Sequence, residues 1–332
     1  MKFHFEFDIK KPQRPIQHPQ KLLLVGSCFT ENIGEKLRKH KFDTLENPNG
    51  ILFNPISVAE ALEAYIDDVK INAADIFEHN ESWHSWKHHS RFSGVSPEAC
   101  IAGINASTAK AHRYLKTTDH LMITLGSAWI YTLTSEAPQA IPGSVAANNH
   151  KAPASWFAKR LLGADEIYRL LHDTVGRLLQ FNPHLQVIFT ISPVRHLREG
   201  VIENNRSKAA LIQAVHQLVA ESDQLYYFPA YELVIDDLRD YRFYAEDLVH
   251  PNYQATQYVW EKFADACMTA ETRLLMKEIA EINLARQHKP FNAQTAQHRK
   301  FLDSYRAKTK ELQDRYAYLD LTEELRFFSG KD

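Results

Sequence analysis

Ser27 and Cys28 stand side by side where an apolar run, KLLLVG (21–26), ends and a helical pattern, Thr30 to His40, begins. A hydroxyl or thiol at such a turn can act as a nucleophile if a neighbouring base removes its proton. The helix N-terminus carries free N–H groups and partial positive charge, which stabilise a developing oxyanion. The same position also suits a serine that only caps the helix and a cysteine that packs beneath the turn.

A carboxylate and an imidazole stand three residues apart in FYAEDLVHPN (243–252). Pro251 disfavours helical geometry at His250 and can open the helix that follows, so His250 is predicted on a loop. Asp247 can then fold back and orient the imidazole. The chain order Ser, Asp, His occurs in hydrolytic triads on α/β folds. The pattern predicts acyl chemistry in which Ser27 attacks a carbonyl, His250 relays the proton and Asp247 orients His250.

Short apolar runs alternate with helical patterns along the chain, which is typical of a doubly wound α/β fold. Three runs are continuously apolar, as in strands buried on both faces. The three are KLLLVG (21–26), HLMITLG (120–126) and QVIFTIS (186–192). Two further candidate strands are LYYFPA (225–230) and KFDTLE (41–46). Helices are predicted at 30–40, 56–69, 154–179, 205–220 and 253–268. In an open parallel sheet, ligands bind at the carboxyl ends of the strands, where Ser27 lies.

Apolar spacing assigns a buried face to two of these helices. In the helix at 205–220 the predicted face consists of Ala209, Ile212, Val215 and Val219. In the helix at 253–268 it consists of Val259, Phe263 and Cys267.

The segments 75–105 and 137–152 read as loops or insertions. After Thr269 the chain becomes charged and helix-prone, with a break near Lys289. We therefore predict one domain over residues 1–268 and a helical C-terminal extension over residues 269–332. The extension would cap the site, form a homodimer or complete the core.

The composition argues against several classes of function. A net charge of −2 leaves no electrostatic footprint for a nucleic acid or an anionic membrane. The three cysteines, Cys28, Cys100 and Cys267, are too far apart to indicate a disulfide framework or a zinc ribbon. No apolar run has the form of a signal peptide or the length of a membrane span. We expect a cytoplasmic protein with no membrane span, no nucleic-acid partner and no cofactor.

Histidines and tryptophans are concentrated in WHSWKHHSRFSG (83–94). His84 and His88 are four residues apart and would face one side of a helix, but no carboxylate or cysteine completes a metal site. We expect no metal. The segment is predicted as a loop with aromatic walls and polar tips, from which His88 and His89 contact substrate.

Arg195 and His196 follow the predicted strand 186–191, so both are expected at the same sheet edge as Ser27. Both are predicted to contact substrate. A guanidinium there suits a substrate carboxylate or phosphate, and equally a structural ion pair.

The residues GSCF (26–29) and ENIG (31–34) resemble the opening signature of the GSCFA family, which belongs with the SGNH, or GDSL-like, hydrolases. The resemblance continues in TLGSAWIY (124–131), NNHKAPASWFAKRLL (148–162), SPVRHLREGVIENNRSKA (192–209) and YFPAYELVIDDLRDYRFYAEDLVHP (227–251). It covers most of residues 20–265. It implies a flavodoxin-like three-layer α/β/α fold with a mainly parallel sheet, a Ser27 nucleophile, and the pair Asp247 and His250.

The resemblance also implies an oxyanion hole made of a glycine N–H and an asparagine side chain besides the N–H of Ser27. Gly50 matches the glycine by its position after the second strand. No asparagine follows Gly126 at the usual spacing, and Asn148 is the candidate instead. A further departure is Gly26, because an aspartate usually precedes the serine in SGNH enzymes.

These residues predict a serine-dependent hydrolase of carboxylic esters, with a small acyl group such as acetyl on a carbohydrate or similar polar acceptor. An acyltransferase that uses the same acyl-enzyme is an alternative. A catalytically silent carbohydrate-binding module is another, because the asparagine departs from its usual place.

Overall fold

The computed structural model describes residues 5–330, and ten strands in this range form three sheets. The strands are β1 (Lys21–Gly26), β2 (Asp43–Glu46), β3 (Phe77–His79), β4 (Ser82–His84), β5 (His120–Leu125), β6 (Trp129–Leu133), β7 (Val145–Ala146), β8 (Phe157–Leu161), β9 (Gln186–Ile191) and β10 (Leu225–Tyr227). Five of them form a central sheet in the order β2-β1-β5-β9-β10, with every pairing parallel. Along the chain this is the 2-1-3-4-5 order of flavodoxin-like folds, so the predicted fold class is confirmed.

Helices cover both faces of the central sheet. They are α1 (Cys28–Lys39), α2 (Pro55–Ile66), α3 (Pro97–Leu115), α4 (Ala164–Phe181), α5 (Val201–Val219), α6 (Ala230–Glu232), α7 (Tyr253–Cys267), α8 (Ala270–Arg286), α9 (Ala296–Arg315) and α10 (Thr322–Phe328). Because side chains alternate along a strand, Leu22 and Leu24 pack with α1 and α7, whereas Leu23 and Val25 pack with α2, α4 and α5. The result is three layers, α/β/α.

The pattern of residues 154–179 predicts a single helix, and this prediction is wrong. The first part of the segment contains β8, which pairs antiparallel with β6, and α4 begins only at Ala164. Pairing with a strand distant in sequence overrides the local helical pattern here. The segment 75–105 likewise contains the hairpin β3-β4 and the first turns of α3, and 137–152 contains the short strand β7.

The buried face of α5 is rotated from the predicted one. Ala209 is exposed, and of the four predicted residues only Val215 is fully buried. The observed face consists of Asn204, Ser207, Lys208, Leu211, Ala214, Val215 and Leu218. The apolar spacing missed this face because three of its members are polar. In α7, by contrast, Val259, Phe263 and Cys267 are all buried as predicted.

The helices α8, α9 and α10 share an apolar cluster of their own. Glu324 forms a salt bridge with Lys41 (2.8 Å), and the Asn283 side chain donates to the Lys39 carbonyl (2.7 Å). Lys39 and Lys41 precede β2, so these contacts lie at the amino ends of the strands. Ser27 lies at the opposite edge, and the C-terminal helices therefore do not cap it.

The boundary at 268/269 and the homodimer stay predictions. Residues 1–4 and 331–332 of the two predicted domains lie outside the described range. Between residues 5 and 330, no helix combines the length and apolar character that a membrane crossing needs.

Candidate functional site

Ser27 directly follows β1 and precedes the first residue of α1. Its side chain is fully buried and makes no capping hydrogen bond to the helix. Its Oγ finds no hydrogen-bond partner among residues 5–330. Its N–H donates to the Thr124 carbonyl on β5 (3.1 Å). The hydroxyl is not used as an N-cap, and the capping interpretation is therefore wrong.

Gly26 has a backbone conformation and a contact that only glycine tolerates. Its φ is +142°, and a Cβ would lie 2.1 Å from the Thr124 carbonyl oxygen. Its N–H donates to the side-chain oxygen of Asn47 (2.8 Å). This close approach of β1 to β5 accounts for the glycine at this position.

Cys28 is the first residue of α1 and is half-buried. Burial raises the pKa of its thiol, and the neighbouring Glu31 raises it further. The thiolate is the reactive form of cysteine, so these neighbours disfavour Cys28 as the nucleophile at neutral pH.

Asp247 and His250 lie on a loop closed by a hydrogen bond from the Ala245 N–H to the His250 carbonyl (2.8 Å). The carboxylate Oδ2 of Asp247 is 2.7 Å from His250 Nδ1, which is the contact that the spacing predicts. Its Oδ1 accepts the N–H groups of Val249 (2.9 Å) and His250 (3.0 Å). These hydrogen bonds, that of the His250 N–H first, lower the pKa of Asp247 to about 2.

An ionised Asp247 therefore holds Nδ1 as the protonated ring nitrogen and leaves Nε2 of His250 free to accept a proton. Both side chains are about half exposed.

Ser27 and His250 do not hydrogen-bond to each other anywhere in the described range, because the Ser27 hydroxyl is buried. Their loops are nevertheless neighbours. The Arg195 N–H, on the loop after β9, donates to the Val249 carbonyl (3.3 Å). His250 is also close enough to His196 to contribute to its lowered pKa. Catalytic hydrogen bonds are often incomplete in a free enzyme and form with substrate.

Asn148 and His196 line one cavity of about 260 Å³. Ser127, Trp129, Tyr131 and Asn149 line it as well. The Asn148 side-chain oxygen accepts the His150 N–H (2.9 Å). Burial lowers the pKa of His196 to about 4, so its ring is neutral at pH 7. The cavity thus combines aromatic walls, amides and a neutral imidazole.

A larger, open groove of about 1,320 Å³ runs along α7 and the π-helical turn Leu233–Leu238. Within the described part of the chain, none of the predicted site residues lines it.

The two backbone donors predicted for the oxyanion hole have protein acceptors in this structure. The Ser27 N–H donates to the Thr124 carbonyl, and the Gly50 N–H donates to the Asn47 carbonyl (2.7 Å). Either amide must exchange its acceptor before it can stabilise an oxyanion. Asn148, with its side-chain oxygen already hydrogen-bonded, stays the predicted side-chain donor.

We expect Asn148→Ala to lower kcat for an ester substrate by about 10²–10³-fold, the loss typical of removing one oxyanion donor. The KM should change much less, because the donor acts on the charge that develops in the transition state. Steady-state kinetics check this, with Asn149→Ala from the same cavity as the matched control. An unaltered kcat would show that Asn148 is not a donor.

His88 and His89 are not brought to the cavity of Asn148. His88 is buried, its Nδ1 lies 3.0 Å from Ser85 Oγ, and burial lowers its pKa to about 4. His89 packs against Gly50, where a Cβ would lie 2.2 Å from the His89 Cβ. The His89 N–H also donates to the Asn49 carbonyl (2.9 Å), so His89 supports the turn after β2. The contact of both histidines with substrate stays a prediction.

Arg195 packs its guanidinium over the Tyr244 ring, 5.2 Å from the centroid. This cation–π contact differs from the ion pair considered for Arg195, and its contact with substrate stays a prediction.

His84 lies on β4 and not on a helix, so the four-residue spacing to His88 does not place the two on one helix face. Its ring nitrogens lie 2.6 Å from Ser93 Oγ and 3.0 Å from the His79 carbonyl.

Two residues of this edge were missed from the sequence. Asn47 is buried, holds the Gly26 N–H, and leaves its own Nδ2 without a partner among residues 5–330. The turn residues NPNG (47–50) are the signal in the sequence that could have pointed to Asn47, whose φ is +41° in the structure. Lys208 is buried on α5, where it occupies a core position in an apolar stripe with Leu211 and Val215.

Comparison with solved structures gives similar proteins at low identity. A carbohydrate esterase family 3 protein from Talaromyces cellulolyticus is 10% identical, with 78% of this chain and 99% of that chain covered and a TM-score of 0.34. An acetyl xylan esterase from the rumen bacterium Butyrivibrio proteoclasticus is 11% identical, with 76% and 64% covered and a TM-score of 0.38. The periplasmic domain of a lipopolysaccharide acetyltransferase from Salmonella ser. Paratyphi A is 8% identical, with 75% and 84% covered and a TM-score of 0.33.

All three TM-scores lie below 0.5, so these similarities assign no role to any residue of this chain. No curated protein sequence matches the chain. Family models give a clear result. The model of the GSCFA domain protein C-terminal domain matches residues 279–331, and that of the GSCFA family matches residues 21–263. Since the second match spans most of the chain, this protein belongs to the GSCFA family.

Proposed function

We propose that this protein is a serine-dependent hydrolase of carboxylic esters. The observation that carries the proposal is the Asp247–His250 pair, with 2.7 Å between Oδ2 and Nδ1, on a loop beside the sheet edge where Ser27 lies. A carboxylate that fixes an imidazole is the arrangement that activates a serine hydroxyl. Membership in the GSCFA family, which resembles SGNH hydrolases, supports the same chemistry.

In the proposed reaction, Ser27 Oγ attacks the ester carbonyl carbon and its proton passes to Nε2 of His250. The tetrahedral intermediate collapses as the alcohol leaves with that proton, and an acyl-enzyme remains. Water then attacks the acyl-enzyme while His250 takes a proton from it. The carboxylic acid leaves, and the proton returns to Ser27. Asp247 stabilises the imidazolium in both halves of the reaction.

The Ser27 hydroxyl is fully buried, so the loops that cover it must open before it can meet a carbonyl carbon. Loops at the carboxyl ends of parallel strands are suited to such opening, because they are less constrained than the strands.

The cavity lined by Asn148 and His196 supports a polar acceptor for the acyl group. Trp129 and Tyr131 offer aromatic faces on which a sugar ring can pack, and Asn148 and Asn149 offer amides to its hydroxyls. At about 260 Å³ the cavity is smaller than most pockets for drug-sized ligands, so it fits one small unit. We therefore favour a small acyl group, such as acetyl, on a carbohydrate or similar polar acceptor.

Rapid mixing with p-nitrophenyl acetate tests the proposal. We expect a burst of about one p-nitrophenol per protein chain, followed by slower turnover, because the acyl-enzyme forms before it is hydrolysed. An acetylated monosaccharide should compete with the aryl ester.

If the acetyl group is transferred to an added sugar in preference to water, the protein is an acyltransferase and not a hydrolase. If the protein binds acetylated sugars but cleaves none of them and gives no burst, it is a binding module and the proposal fails.

A further inference from the structure

Lys208 joins the ends of two central strands from inside the protein. Its side chain is 1% exposed, and its Nζ donates to the carbonyls of Gly126 (2.7 Å) and Ser192 (2.6 Å). Gly126 and Ser192 directly follow β5 and β9. The lysine therefore holds together the turn that leads into the cavity and the loop that carries His196.

Within the described part of the chain, this ammonium forms no salt bridge with a carboxylate. Among residues 5–330, no Asp or Glu contributes to its pKa, which burial lowers to about 7 and Cys28 raises slightly. A buried charge without a counter-ion is costly to the folded protein, so an apolar residue would be the more stable choice at this position. The cost points to a use for positive charge at this edge of the sheet.

Two groups of the candidate site lie within electrostatic reach of Lys208. It opposes the rise in the pKa of the Cys28 thiol that burial causes, and it contributes to the lowered pKa of His196. Cys28 adjoins Ser27, so the ammonium acts on the turn that carries the nucleophile. The Nζ of Lys208 also lies 5.8 Å from the centroid of the Tyr231 ring.

We propose that Lys208 is a positioning residue whose buried ammonium fixes the turns after β5 and β9 and favours negative charge at the Ser27–Cys28 turn. In ester hydrolysis that negative charge is the oxyanion that develops beside Ser27. This part of the inference rests on the proposed function. The effect on the Cys28 thiol does not.

Cys28 provides a reporter that is independent of ester hydrolysis. The full-length protein is alkylated with iodoacetamide between pH 6 and pH 9, and peptide mass spectrometry separates Cys28 from the buried Cys100 and Cys267. In Lys208→Met, the rate at Cys28 at pH 6, where burial still leaves most of the Lys208 amine charged, should fall about 3–10-fold, because the thiolate fraction falls tenfold for each unit of pKa.

Lys208→Gln should show the same fall, because glutamine keeps a donor for the carbonyls but carries no charge. The matched control is Lys110→Met, which removes an exposed ammonium beside the groove that Cys28 borders. Water screens that charge, so the rate at Cys28 should stay within about twofold.

Circular dichroism establishes that each variant is folded. If Lys208→Met does not fold, the alkylation rate of Lys208→Gln tests the proposal instead. The proposal fails if the folded variants keep the wild-type alkylation profile, if glutamine restores it, or if neither variant folds, since Lys208 then serves structure alone.

With an ester substrate, Lys208→Gln should lower kcat by about tenfold or more with little change in KM. If the wild-type protein hydrolyses no ester, the proposed function fails, whereas the alkylation profile still decides the role of Lys208.

Discussion

Ser27→Ala is expected to abolish ester hydrolysis, with a loss in kcat on the order of 10⁴-fold or more, because no acyl-enzyme can form without the hydroxyl. Removal of one buried oxygen that makes no hydrogen bond within residues 5–330 should leave the fold intact. The burst with p-nitrophenyl acetate and labelling by a fluorophosphonate should both disappear. The thermal unfolding midpoint checks that the variant is folded.

Cys28→Ser and Cys28→Ala are the matched controls, because they change the adjacent residue of the same turn. Both should retain much of the activity, since burial raises the pKa of the thiol and keeps it protonated. Equal losses at the two positions, with iodoacetamide in place of the fluorophosphonate as the inactivating label, would transfer the nucleophile to Cys28.

His250→Ala should remove activity nearly as completely as Ser27→Ala, because the hydroxyl is a poor nucleophile without its base. Asp247→Asn should fold normally and still lose orders of magnitude in kcat, since an amide cannot stabilise the imidazolium. The members of a triad act as a unit, so the double variant should be little worse than His250→Ala alone. Losses that multiply would indicate that the two residues act independently.

The pH dependence of kcat/KM separates His250 from the buried histidines. A base must be unprotonated, so activity should rise with pH along one protonation step. Asp247 cannot cause this step: its pKa is lowered to about 2, and its carboxylate persists well below neutral pH. Burial lowers the pKa of His88, His150 and His196 to about 4, so a midpoint near pH 4 would assign the base to one of them.

The sequence by itself determined the features that depend on neighbouring residues. The continuously apolar runs predict the three inner strands β1, β5 and β9, because strands buried on both faces must be apolar throughout. The runs KFDTLE and LYYFPA contain the edge strands β2 and β10, which are each shorter than the run. The contact between Asp247 and His250 was predictable as well, because three residues and a following proline suffice to fold the carboxylate back onto the ring.

Only the tertiary structure decided what depends on residues far apart in the chain. The strand β8 forms because β6 offers it backbone partners, which no local pattern of residues 154–179 reveals. Asn47 reaches the Gly26 N–H across 21 positions, and the amides of Ser27 and Gly50 are occupied by carbonyls that only the packed strand ends supply.

Lys208 is the clearest such case. Lysine side chains are rarely fully buried, and the spacing of apolar residues does not predict a buried face of α5 that includes Lys208. Its burial becomes acceptable only because the carbonyls of Gly126 and Ser192, 82 and 16 positions away, converge on its Nζ. The donor and the acceptors of these hydrogen bonds lie on segments far apart in the chain, so the bonds form only when the sheet has been assembled.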